Sequence, residues 1–282
     1  MGSVVGIVAP GSMGAAIGAR LVAAGIEVLT LLDGRSVASR ERAAAAGMTA
    51  VSEERLGEAQ LLMSIVPPGA AFEVAECFVQ IAAGAHRKPL IVDCNAVSPG
   101  TALRIAQCLQ AAGLRFVDAG IIGGPPRAGS DGPNIYACGP DAARFKSLLG
   151  AQLEIRVLEG PIGAASALKM SYAGITKGLV AVATSMLLAA RRAGVAGALC
   201  AELAESQSSL LAGLQRSVPG MFPKAYRWVA EMREIAAFAG EDPAAVAIFE
   251  GAATLYERMA RDVTEAGEES SRLGELLKRA NP

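Results

Sequence analysis

Short apolar runs alternate with amphipathic stretches through the first half of the chain. Val4–Val8 is an unbroken apolar run of strand length, and a glycine-rich turn follows it. Residues 15–24 then show helical character up to a stop at Gly25, and 26–32 form a second strand-like run. Strand, glycine turn, helix and strand predict a βαβ unit, which requires a parallel sheet and a right-handed crossover. The alternation continues. Residues 40–47 predict a helix, 61–66 (LLMSIV) a strand closed by Pro67 and Pro68, and Ala71–Ala83 a helix. Residues 90–94 (LIVDC) and 115–119 predict strands around a helix at 101–112. Late strands are expected at Asn134–Cys138 and 154–158, flanking a helix at 141–149. Six or more strands alternating with helices predict an α/β fold with a doubly wound sheet.

After Gly163 the pattern changes, and no later segment reads as strand. Residues 164–193 predict one unusually long helix stopped at Gly194. Shorter helices follow, with breaks at Pro219, Pro223 and 240–243. The reading is a Rossmann domain over 1–163 and an all-helical domain over 164–282. The charged tail, 265–282, is expected to be peripheral or frayed.

Composition narrows the classes. A chain of 282 residues exceeds one typical core, in agreement with two domains. With 52% apolar and 19% charged residues it is not a disordered chain. A net charge of -1 offers no basic excess for a phosphate backbone, so nucleic acid is not an expected partner. The opening MGSVVGIVAPG lacks the basic start and long apolar core of a signal peptide. The long apolar helix carries Lys169 and Lys177 within its span. Charge near a bilayer centre is costly, so a buried helix is expected and no membrane span. Cysteines at 77, 94, 108, 138 and 200 form no CxxC pair, and the lone histidine, His86, sits in a loop-like AAGAHRKP. No metal site is expected, and the thiols read as reduced core residues of a cytoplasmic protein.

The turn after the first run reads Ala9, Pro10, Gly11, Ser12, Met13, Gly14. A glycine fingerprint gains meaning when it opens a helix straight after a strand. Gly11 lets the backbone approach a pyrophosphate, and Gly14 lets the helix pack closely on the strand. With Ser12 and Met13 they form a helix N-terminus whose N–H groups and positive dipole end suit a phosphate. Ala9 stands at the first glycine position, where a methyl group is tolerable if φ stays negative. At the end of the second strand an acid binds the ribose 2′-OH of NAD, and an arginine accepts the 2′-phosphate of NADP. Here the chain reads Leu32, Asp33, Gly34, Arg35, Ser36, with Arg40 one helical step on. Arg35 and Ser36 supply a guanidinium and a hydroxyl, which favours NADP. Asp33 leaves NAD open.

Several segments together resemble the β-hydroxyacid dehydrogenases, the family of 3-hydroxyisobutyrate dehydrogenase within the 6-phosphogluconate dehydrogenase group. They are GIVAPGSMG at 6–14, SIVPP at 64–68, DCNAVSP at 93–99, DAGIIGGPP at 118–126 and GAASALKMSYAGITKG at 163–178. Their order and spacing match along nearly the whole chain, and the likeness is to a less characterised branch. The resemblance implies roles by position. Val66 and Pro67 border the cofactor. Asn95 and Ala96 lie near the nicotinamide ribose and substrate. Gly123 and Gly124 match a glycine pair whose N–H groups bind a substrate carboxylate. Lys169 matches the family's catalytic lysine.

The chemistry asked of that lysine is specific. Oxidation of an alcohol needs a group that takes the hydroxyl proton as hydride leaves, and reduction needs the same group to return it. A lysine does this when desolvation or a nearby positive charge lowers its pKa. The departures are equally specific. Ile122 stands where the family usually has serine, Asn95 and Ala96 stand where it has Ser-Thr, and Tyr172 and Ala173 stand where it has Asn-Asn. They imply a more apolar substrate pocket. Tyr172, one turn from Lys169, is either a hydrogen-bonding or proton-donating partner or a packed core residue. Lys177, Trp228 and Met232 are candidate substrate contacts, with a core stripe as the alternative for Trp228 and Met232.

Three functions compete. The first passes hydride between NADP(H) and a hydroxy or oxo acid. The second is an imine reductase, an enzyme type of the same architecture that usually lacks the lysine. The third is a non-catalytic nucleotide-binding sensor, motivated by the replaced serine, threonine and asparagine. Finally, the long helix is too apolar all round to face water, so a homodimer with intertwined C-terminal domains is expected.

Overall fold

The computed structural model describes residues 4–126, 129 and 132–279. Its chain divides into two compact units, Met1–Met170 and Ser171–Pro282.

The first unit holds one eight-stranded sheet. In chain order its elements are β1 (Val4–Val8), α1 (Ser12–Ala23), β2 (Glu27–Thr30), α2 (Val37–Ala45), β3 (Thr49–Ala50) and α3 (Glu53–Leu56). Then come β4 (Leu61–Ser64), α4 (Ala71–Ala83), β5 (Leu90–Asp93), α5 (Pro99–Ala111), β6 (Arg115–Ile122), β7 (Asn134–Cys138), α6 (Ala142–Leu149) and β8 (Ile155–Val157). The strand order is β3-β2-β1-β4-β5-β6-β7-β8. All neighbours pair in parallel except β6 and β7.

The unbroken apolar runs have their explanation in this sheet. A strand covered on both faces buries every side chain, so β4 and β5 are buried throughout. One face builds a core from Ile7, Ile17, Leu21, Val92, Val117 and Phe145. The other builds one from Leu62, Phe78, Ile91, Ile105 and Phe116. Each such buried side chain contributes about 2 kcal/mol. Gly18 in α1 lets that helix come close, since a Cβ there would lie 2.8 Å from Met48 Sδ.

The sheet differs from the sequence reading at its small parts. β3 and α3 were not expected, because two residues of strand and one turn of helix carry no readable period. α2 starts before residue 40, because Ser36 caps it: Ser36 Oγ accepts Ser39 N at 3.3 Å.

A long helix, α7 (Ala164–Arg192), begins in the first unit and continues into the second. The first compact unit therefore ends within α7, at Met170. The second unit also contains α8 (Ala196–Ser206), α9 (Ser208–Met221), α10 (Ala225–Phe238), α11 (Pro243–Thr264) and α12 (Glu268–Arg279). Gly194 adopts φ 76 and ends α7, as a glycine stop should. Two expectations fail here. Pro219 lies inside α9 without breaking it. Its ring costs α9 the bond to the carbonyl four residues back, and the helix ends two residues later, at Met221. The tail from 268 to 279 is not frayed, because α12 buries Leu273 and Leu277, and its last three positions lie outside the described residues. Asp262 caps α12 by accepting from Glu269 N and Ser270 N, both at 2.9 Å, and Arg258 pairs with Glu269 at 2.8 Å.

By length and composition α7 is the one described helix apolar enough to cross a membrane, with 39% of its most apolar window buried. An exposed stripe accounts for much of the rest. Tyr172, Ile175, Leu179, Val182 and Met186 are all exposed, Ile175 at 75%. Their spacing of three and four residues puts them on one side of the helix.

Candidate active site

Chain order reverses direction in the sheet between β1 and β4. The crevice beyond the C-terminal ends of strands at such a switch point is where doubly wound sheets take ligands. The C-terminal ends of β1, β2, β4, β5 and β6 each carry predicted site residues, so the sheet gathers them at one edge.

At the end of β1 the loop is built for a dinucleotide. Gly11 is the N-cap of α1, and no side chain caps that helix. A Cβ at Gly11 would meet nothing within 4 Å, so the space before the N–H groups of the first turn is open. Open space and an uncapped helix start suit a pyrophosphate. Ser12 is exposed there, and Met13 packs partly against the core. A Cβ at Gly14 would lie 3.1 Å from Ala9 O, which is the close helix–strand approach the fingerprint demands. Ala9 itself departs from expectation. It has φ 63, the one non-glycine residue at positive φ among the described residues. Gly11 N donates to Ala9 O at 2.7 Å, which closes a tight turn centred on Pro10 directly after Ala9.

At the end of β2, Asp33, Arg35 and Ser36 are exposed. The Ser36 hydroxyl has a second task, since it caps α2 and lies 3.1 Å from Ser39 Oγ. Arg40 Nε donates to Arg35 O at 3.2 Å and shapes the same turn. Arg42 was not anticipated. Its Nε donates to Pro10 O at 3.0 Å and its Nη2 to Ser39 Oγ at 3.0 Å, so it ties α2 to the first glycine loop. The partner lies 32 residues away, so no local pattern marks it.

Asn95 is buried, and its carboxamide is engaged at both ends. Val66 N donates to Asn95 Oδ1 at 2.6 Å, and Asn95 Nδ2 donates to Ser64 Oγ at 2.8 Å. The side chain thus cross-links the ends of β4 and β5 and fixes the Val66–Pro67 turn. Ala96 follows, partly buried. Asn95 N donates to Asp93 Oδ1 at 2.8 Å, while Asp93 Oδ2 is buried without a hydrogen-bond partner. Burial pushes the Asp93 carboxyl up to about 7, with the Asn95 N–H pulling it back and the Asp118 charge adding to the rise.

β6 ends at Ile122, which is partly buried, and the exposed Gly123 and Gly124 follow. Gly123 takes φ 128, and a Cβ there would lie 3.1 Å from Pro133, so this turn needs glycine. Gly124 has open space around it. Lys169, in the second turn of α7, is partly buried close to β6. A Cβ on Gly120 would sit 3.0 Å from Lys169 Cβ and 2.9 Å from Ala165 O.

The remaining candidates belong to the helical unit. Tyr172 is 49% exposed on α7 and is not a core residue. Met232 is fully buried in α10. A residue with no exposed surface packs its core and has none to offer a substrate. Lys177 pairs with Glu231, and its Nζ lies 4.8 Å from the Trp228 ring centroid, so both Lys177 and Trp228 are held within the unit.

Residues 4–150 match the family described as the NAD binding domain of 6-phosphogluconate dehydrogenase, which is more than half of the chain. This chain belongs to that family. It is a β-hydroxyacid dehydrogenase-like protein whose first unit is an NAD-binding domain. Residues 190–259 match a domain of unknown function (DUF1932). An uncharacterized 28.5 kDa protein of Methanothermus fervidus is 29% identical over 216 residues, covering 76% of this chain and 82% of that protein. The conserved protein MTH1747, described as of unknown function with structural similarity to 3-hydroxyacid dehydrogenases, shares 29% identity at a TM-score of 0.66. That match covers 95% of this chain and 99% of the other. The 3-hydroxyisobutyrate dehydrogenase of Mycobacterium tuberculosis, solved with L-serine, is 18% identical with a TM-score of 0.64 over the full length of both chains. At that identity it shows the shared fold. The β-hydroxyacid dehydrogenase-like fold thus runs through both units.

Proposed function

We propose that this protein interconverts a hydroxy acid and its oxo form with NADP(H), and that Lys169 carries the proton. The observation that carries the reading is the placement of Lys169 against Gly120, on the strand that leads into Gly123 and Gly124. A group that gives or takes the hydroxyl proton must lie near the bound carboxylate, and one strand supports both.

Each part has a task. The uncapped start of α1 and Gly11 take the pyrophosphate, and Arg35 with Ser36 takes the 2′-phosphate. The Val66–Pro67 turn, set by Asn95, borders the nicotinamide, which supplies or accepts the hydride when bound. Gly123 and Gly124 offer backbone N–H groups to the substrate carboxylate. Lys169 Nζ takes the hydroxyl proton in oxidation and returns it in reduction. Ala96 and Ile122 leave the pocket more apolar than a serine and threonine would. The five free cysteines fit a cytoplasmic enzyme. The exposed apolar stripe on α7 supports a homodimer with intertwined C-terminal domains.

The test is a fluorescence titration with NADPH and NADH, followed by turnover on a panel of 3-hydroxy acids that includes 3-hydroxyisobutyrate and L-serine. NADPH is expected to bind about tenfold tighter or better. Lys169→Ala is expected to lower kcat on the best substrate by about a hundredfold or more. Full turnover by Lys169→Ala overturns the proton-transfer role. Reduction of cyclic imines without activity on oxo acids replaces the substrate class, and binding without any turnover leaves a nucleotide sensor.

A further inference from the structure

The start of α7 is capped from the sheet. Gly163 N donates to Asp118 Oδ2 at 2.9 Å and Ser166 N donates to the same oxygen at 3.1 Å. Ser166 Oγ donates to Asp118 Oδ1 at 2.6 Å. A fourth contact comes from β7, where the Cys138 thiol donates to Asp118 Oδ2 at 3.2 Å and receives Ala165 N at 3.2 Å. Burial, and behind it the Asp118 charge, pushes this thiol up to about 11, so it stays protonated and able to donate.

A helix start leaves N–H groups without partners, and a local serine or aspartate usually satisfies them. Such a cap fixes the turn and leaves the helix free to shift against its neighbours. A cap from a buried strand residue fixes both. Asp118 is 1% exposed, and Gly120 follows two positions on, hence on the same face of β6. The missing Cβ of Gly120 lets Ala165 and Lys169 come close.

We propose that Asp118 is the positioning residue for Lys169: its carboxylate clamps the first turn of α7 to β6, and Gly120 sets how near the lysine backbone lies. The inference rests on the proposed role of Lys169. It adds that the span between the proton-carrying amine and the glycine pair is set by a single strand. Asp118 does not act on substrate. It acts through Ser166, one turn before Lys169 on the same helix.

The experiment uses the full chain, reductively 13C-methylated on its lysines, with the Lys169 signal assigned by Lys169→Arg. Spectra and turnover are compared for wild type, Asp118→Asn, Ser166→Ala and Gly120→Ala. Ser166→Ala removes one hydroxyl and Gly120→Ala adds one methyl, so both remain informative if Asp118→Asn does not fold. Each folded variant is expected to shift the Lys169 signal while those of Lys88 and Lys146 stay in place. Each is expected to lower kcat by about tenfold to a hundredfold with the NADPH Kd within about twofold, the pattern of a misplaced group. An unmoved Lys169 signal in folded Ser166→Ala and Gly120→Ala overturns the proposal. A shifted signal alongside full turnover by Lys169→Ala upholds the positioning and rejects the catalytic reading on which it was built.

Discussion

Lys177 on α7 pairs with Glu231 on α10 while its ammonium lies 4.8 Å from the centre of the Trp228 ring. Trp228 in turn meets Tyr256 edge-on, with ring centroids 5.2 Å apart, and the Tyr256 hydroxyl donates to the backbone oxygen of Lys177. Burial, and after it the Glu231 charge, raises the Tyr256 phenol, so it remains a donor. The pair is mostly shielded, with side chains 18% and 9% exposed. Removing one partner of a buried pair strands the other. Glu231→Gln is therefore expected to lower unfolding free energy by about 2 kcal/mol. Lys177→Met should act on Tm and leave KM near wild type. A large rise in KM at unchanged Tm would make Lys177 a substrate contact after all.

Ala9 holds a conformation that glycine adopts at no steric cost. For a residue with a Cβ the left-handed region costs about 1 kcal/mol, part of which the freer unfolded chain of a glycine variant offsets. Ala9→Gly should gain about 0.5 kcal/mol in urea unfolding, whereas Ala9→Val, branched at Cβ, should lose stability. Equal stability of both variants would argue against positive φ at this position.

Ser36 caps α2 and also faces the proposed 2′-phosphate site. Ser36→Asp separates the two tasks, because aspartate caps as well as serine but repels a phosphate. It should keep Tm and weaken NADPH about tenfold or more, with NADH little changed. Arg35→Ala should weaken NADPH in the same direction. NADPH binding unaffected by both changes would move the phosphate elsewhere.

Asp93 carries a pH signature. Its folded carboxyl titrates near about 7, against 3.8 for an ordinary aspartate. Between those values the unfolded chain has released its proton and the folded chain keeps it. Stability contributed at this site therefore falls as pH rises through that window, by about 1.4 kcal/mol per unit, and levels off above it. Asp93→Asn removes the slope. Wild-type Tm should drop more than that of the variant between about pH 5 and about pH 8. Parallel Tm profiles would refute the shift.

The α7 stripe gives the dimer a direct test. Ile175→Glu with Val182→Glu places two charges on the exposed apolar side. Light scattering should then read a monomer where wild type reads a dimer. A wild-type monomer at working concentration ends the proposal.

The central strands were legible because each is a continuous apolar run, which only a doubly covered parallel strand requires. The glycine loop was legible because a Cβ at Gly14 has no room. The seat of Lys169 was only half legible. An aspartate and a glycine inside RFVDAGII are anomalies for a buried strand, and each marks a close approach or a buried partner. The partners of Asp118 lie 45 and 48 residues on, where no spacing rule reaches. Arg42 was illegible for the same reason. The tail was misjudged because its charge outweighs its two buried leucines in any count.

The sequence by itself determined the βαβ order, the position of the fingerprint, the length of α7 and the family, since these follow from local period, glycine sterics and ordered motifs. Only the tertiary structure decided which polar groups meet. It put Asp118 under the first turn of α7, Asn95 between two strand ends and Lys177 against Glu231. Such pairings depend on where distant segments arrive after packing, and a chain encodes that arrival in the whole fold and not in any stretch of it.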